Sequence, residues 1–119
     1  MRAILAAVAL AAMAFPAIGE EVAEAKGAVL RGLDKVTGQT TDLTIPDGGS
    51  AAFGRLKVAV SDCRYPVADP SSNAYAHVTV TEDDKAQPVF DGWMIATSPA
   101  LSALDHPRYD VWVMRCSSS

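Results

Sequence analysis

This sequence is poor in the residue types that carry most enzyme chemistry. Its 119 residues include two cysteines, two histidines and two tryptophans. Redox catalysis at a cysteine pair usually shows a C-x-x-C spacing, which is absent, and a zinc site would need two ligands beyond the cysteines, with only His77 and His106 to draw on. There is no G-x-S-x-G elbow, no H-E-x-x-H, no P-loop and no G-x-G-x-x-G. Gly48 and Gly49 are adjacent, but they follow a Pro-Asp turn and precede a strand, so they offer no helix N-terminus to a phosphate. Positive charge is also scarce, with 10 Lys and Arg against 14 Asp and Glu. That balance excludes the basic surface on which nucleic-acid binding depends, and a polybasic membrane anchor. The chain is too short for a nucleotide-binding domain plus a substrate domain, and it has no internal repeat. No catalytic residues, cofactor or metal are therefore expected, and the chain is read as not an enzyme.

Long apolar runs are limited to one, at the start. Met1-Arg2 is a minimal positive region, Ala3 to Phe15 is apolar for 13 residues, and Pro16-Ala17-Ile18-Gly19 has the small residues of a cleavage site. A helix needs roughly 20 apolar residues to span a bilayer, so residues 1–19 read as a removable signal peptide rather than an anchor. No cysteine follows the run to accept a lipid. The expected product is periplasmic, with no membrane insertion after cleavage. Residues 20–27 are charged and small and read as a flexible leader, and residues 28–117 as a single domain.

The two cysteines, Cys63 and Cys116, agree with export. An even count in a small exported domain favours a disulfide. Closing so long a loop stabilises by roughly 4 kcal/mol in the chain-entropy model.

Between these points the chain reads as strands punctuated by turns. Ala28 to Val36 and Thr40 to Ile45 flank Thr37-Gly38 as a hairpin. Pro46 to Ser50 is a breaker, and Phe53 to Ser61 alternates with Leu56, Val58 and Val60 inward. Tyr65 to Asn73 has no periodicity and reads as a long loop. Ala74 to Thr81 alternates again, Glu82 to Lys85 reads as a solvated turn, and Val89 to Ile95 is apolar on both faces, as a central covered strand would be. Ser98 to Leu104 carries the one helical signal, with Ser98 as cap and Pro99 at the first position. Tyr109 to Cys116 is the last strand, with Tyr109, Val111 and Val113 opposed to Asp110, Trp112 and Met114. Six strands, one short helix and one disulfide indicate an all-β fold, a small antiparallel β-sandwich or partly open β-barrel.

Candidate chemistry is sparse. Asp105-His106 with Asp110 and Ser98 or Ser102 could form a nucleophile and base, but a helix-to-strand connector with His106 bonding backbone is the simpler reading. His77 reads as a surface histidine. Glu82-Asp83-Asp84 is too narrow a cluster to wrap calcium. The aromatics are more suggestive, because tryptophans on a small β domain either fill the core or anchor a partner. Trp93, His106, Tyr109, Asp110 and Trp112 are the candidate binding residues.

The runs Val89-Phe90-Asp91-Gly92-Trp93-Met94, Ser98 to Pro107 and Tyr109-Asp110-Val111-Trp112-Val113, with Cys116, resemble a family of small exported bacterial proteins classed only as a domain of unknown function. Arg31 to Gly38, Phe53-Gly54 and Cys63-Arg64-Tyr65-Pro66 are similar to it as well. The resemblance implies no reaction and no cofactor. It implies a neighbourhood, since family genes often lie near one for an accessory subunit of the proton-pumping NADH dehydrogenase, respiratory complex I. The expectation is a non-enzymatic periplasmic interaction domain, an accessory or assembly factor with a protein partner on such a complex. A carbohydrate or cell-wall binding module is the alternative, and a small hydrolase using His106 a third.

Overall fold

The structure, a computed structural model, describes residues 20–118. The signal-peptide reading falls on residues 1–19 and so lies outside the described residues. Two antiparallel sheets face each other, which makes the fold a sandwich and not a closed barrel. The first sheet is built on β5 (Leu56–Pro66), which pairs along one edge with β4 (Gly49–Phe53) and, farther along, with β1 (Val22–Glu24). On its other side lie β6 (Tyr75–Glu82) and then β7 (Phe90–Ile95). The second sheet runs β3 (Thr40–Pro46), β2 (Gly27–Asp34), β8 (Tyr109–Ser117).

The core follows from the alternation of each strand. Val58 and Val60 of β5, Val78 and Val80 of β6 and Met94 of β7 meet Leu30, Ile45, Val111 and Val113 of the second sheet. Burial of this set, at about 25 cal/mol per Å² of apolar area, is the main term holding the sheets together.

The structure departs from the sequence expectations at several points. The segment 20–27 is not a flexible leader throughout, because Val22–Glu24 pairs with Arg64–Pro66. Phe53 to Ser61 is not one strand. Gly54, at φ +58°, turns the chain between β4 and β5, and a side chain there would strike the Tyr109 ring. β4 itself was hidden in the breaker, since Gly48, at φ +81°, returns the chain from one sheet to the other and pairing resumes at once. β7 is an edge strand, not a central one. Its second apolar face is open, and Trp93 on it is 41% exposed. The helix shrinks to a 3₁₀ turn at Pro99–Leu101, with no side-chain cap from Ser98. Leu101 is 77% exposed while Leu104 is buried, so the two do not share a packed face.

The disulfide joins Cys63 of β5 to Cys116 of β8 and so crosses from one sheet to the other. Their Cα atoms are 5.7 Å apart, against the roughly 10 Å usual between stacked sheets. Ladder partners Ala76 and Ala28, both fully buried, are small enough for this approach.

Candidate functional site

The five candidate binding residues do not converge. The fold distributes them over three places. His106 and Tyr109 lie inside, at the end of the sandwich opposite the disulfide. The His106 ring, 8% exposed, accepts at Nδ1 from the backbone N–H groups of Arg108 and Tyr109, at 3.0 and 3.1 Å. Both bonds require Nδ1 unprotonated, so the proton assigned to the ring sits on Nε2 and faces Glu82 Oε2 at 3.2 Å. Both ring nitrogens are thereby engaged in holding β8 to the end of β6. Glu82 is only 11% exposed at its side chain, so it is not part of a solvated turn. The Lys35 ammonium donates to the His106 carbonyl at 2.9 Å, and Arg108 grips Asp34. The Asp34 carboxyl also accepts from the Val36 and Thr37 backbone, and Arg108 first, then these amides, hold its pKa below the ordinary carboxylate value. Tyr109 packs edge-on to Phe53 with centroids 5.4 Å apart. This is a structural clasp.

Asp110 and Trp112 are half-buried on the outer face of the second sheet. With Pro99, Ala100 and Ala103 they line a shallow groove of about 410 Å³.

Trp93 stands on the outer face of the first sheet, in a row with His77 and Asp62 across β7, β6 and β5. The next row is Ile95, Tyr75, Arg64 and Glu24. Val22, Arg64, Tyr75, Trp93 and Ile95 line an open groove of about 320 Å³. The Arg64 guanidinium lies 5.4 Å from the Trp93 ring centre while bonding Asp62 at 2.8 Å and approaching Glu24 at 3.9 Å. Tyr75 donates its hydroxyl to Glu20 at 2.7 Å, and that carboxylate, more than partial burial, raises the phenol pKa. Nearby, Asp47 is held above the usual carboxylate range by partial burial, then by the charges of Asp62 and Glu24. The groove thus has an apolar aromatic floor crossed by the Arg64 cation, with the carboxylates of Asp62, Glu24 and Glu20 around it.

One constellation was not foreseen. Ser61 Oγ lies 2.6 Å from His77 Nδ1, and His77 Nε2 lies 3.4 Å from Asp91 Oδ1, which also accepts from Thr79 at 3.2 Å. The order of groups is that of a serine nucleophile, base and orienting acid. Its setting is partly open to water, with the side chains 31% exposed at His77 and 58% at Asp91 and the His77 ring edge-on to Trp93. Exposure weakens such a relay by raising the local dielectric, and the contacts as they stand link β5, β6 and β7 through exposed side chains. Sequence reading missed the trio because its members come from three strands. The acidic run Glu82 to Asp84 disperses, with Glu82 turned to His106 and Asp84 to Arg55, and no cluster suited to a metal occurs among the described residues.

Residues 28–116 match the model of a family described as an uncharacterized protein conserved in bacteria (DUF2155), and the chain belongs to that family. It is 28% identical over 87 residues to an uncharacterized protein, RP359, of Rickettsia prowazekii (strain Madrid E), a stretch that covers 71% of this chain and 56% of that relative. The chain therefore matches little more than half the length of this relative. No solved structure matches.

Proposed function

We propose that this member of the DUF2155 family is a non-enzymatic, exported docking domain that binds a protein partner of the cell envelope through the outer face of its first sheet. The observation that carries the reading is Trp93. A large aromatic that an edge strand leaves 41% exposed, beside Tyr75, Ile95 and Arg64, has the composition of interface hot spots, where Trp, Tyr and Arg are enriched. The scaffold suits such a role, since the disulfide at one end and the His106 clasp at the other hold the sheets rigid beneath the groove. The disulfide is also compatible with an oxidising compartment. The periplasmic side of a respiratory membrane complex, the assembly suggested by the family resemblance, is the partner to test first.

A photocrosslinking residue at Ile95, activated in the native envelope and read by mass spectrometry, tests the proposal. Covalent recovery of subunits of one membrane assembly is expected. Recovery no greater than from the same residue placed at Val36, an exposed position in the second sheet's hairpin turn, would overturn it.

A further inference from the structure

We infer that the segment received by the Trp93 groove is basic as well as apolar: a peptide stretch with at least one apolar side chain for the floor and flanking Lys or Arg for the border. This rests on the docking reading and adds the chemistry of the partner.

Val22, Tyr75, Trp93 and Ile95 give the groove an apolar floor that demands an apolar side chain, and Arg64, which also lines it, lies against the Trp93 ring. Around the floor carboxylates outnumber cations. Arg64 already answers Asp62 and Glu24 together, one cation between two carboxylates. Asp91 faces His77 and the Thr79 hydroxyl but, among the described residues, no Lys or Arg, and the exposed Glu20 is held by the Tyr75 hydroxyl alone. Asp47, held above the ordinary carboxylate range first by burial and then by the charges of Asp62 and Glu24, adds a further acidic group beside these two. A partner with carboxylates would add to this repulsion, and an uncharged one would leave the carboxylates without compensation. A cation flanking the apolar anchor relieves the field, and across the whole chain acidic residues exceed basic ones, which favours long-range attraction of the same kind of partner.

Selection of the full-length protein against a displayed library of random peptides, followed by titration of labelled winners, tests this. Enriched peptides are expected to pair apolar residues with Lys or Arg. Their affinity should fall several-fold on raising salt from about 0.05 to 0.3 M, and about tenfold in Trp93→Ala and in the charge reversal Asp91→Lys. Thermal melts of both variants check that the fold is intact, and the exposure of Asp91 keeps the second variant informative should the first lose stability. Winners that are acidic or uncharged, affinity indifferent to salt and to Asp91→Lys, or binding of peptidoglycan fragments at Trp93 in place of peptides would overturn the inference. If Ile95 crosslinks to an envelope assembly while these signatures are absent, the docking reading stands and only the basic partner falls. If neither experiment yields a partner, both fall.

Discussion

Cys63 and Cys116 each lie three residues beyond a core valine, Val60 and Val113, and each reaches the core only because a β-bulge intervenes. Strict alternation would turn a residue three positions on to the opposite face. In β5 the register shifts between Val60 and Asp62, and Ser61 is the extra residue. In β8 the shift falls opposite Val29 and Leu30, and Met114 is the extra residue. The two bulges, one in each sheet, aim the two sulfurs at each other.

Removing the extra residue should therefore undo the bond without touching a cysteine. Deletion of Met114 returns Cys116 to the outer face, and the expected product has one thiol, Cys116, that reacts with a thiol reagent under native conditions, where the parent has none, and a second, the buried Cys63, that reacts only on unfolding. Replacing both cysteines by alanine should cost about 2–5 kcal/mol in urea denaturation.

Gly54→Ala should destabilise by at least about 2 kcal/mol, from the left-handed backbone and the crowding of the Tyr109 ring together. Gly38→Ala, at φ +77° but with open space around it, isolates the backbone contribution and should cost less in the same denaturation series.

His106→Ala should destabilise by about 1–3 kcal/mol, because it leaves two backbone amides without their acceptor and Glu82 with the Lys85 ammonium alone. Glu82→Gln, which keeps an acceptor for the Nε2 proton, should cost less. A role for His106 in chemistry would instead show in both variants as lost activity at unchanged stability.

Two carboxylates should pull stability in opposite directions with pH. The Asp34 pKa is lowered in the fold, so its stabilisation is present above the unfolded value of about 3.9 and is lost as pH falls through the folded one. The gap in urea midpoint between the parent and Asp34→Asn should close on acidification. The Asp47 pKa is raised, so the folded state favours its protonated form and ionisation costs stability as pH rises. Asp47→Asn should be at least as stable as the parent at neutral pH, with the advantage gone at acid pH.

Ser61 should not form an adduct with a fluorophosphonate, and Ser61→Ala should stay within about 0.5 kcal/mol of the parent. Stoichiometric labelling of Ser61, abolished by His77→Ala, would overturn the non-enzymatic reading.

The sequence by itself determined the strand class and most inward faces. Leu56, Val58 and Val60, and Tyr109, Val111 and Val113, were readable because period-two alternation is a local property of a half-buried strand. The cysteine pairing was also readable, because two cysteines allow one intramolecular bond. Only the tertiary structure decided which apolar residues stay outside. Trp93 and Ile95 look like core in a strand with two apolar faces, and nothing local says that β7 ends its sheet. Glu82 looked solvated because its partner His106 is 24 residues away. The bulges at Ser61 and Met114, the Ser61–His77–Asp91 contacts and the Trp93 groove all arise from register between strands distant in the chain. Such register is set by how the sheets pack and not by any one strand's composition.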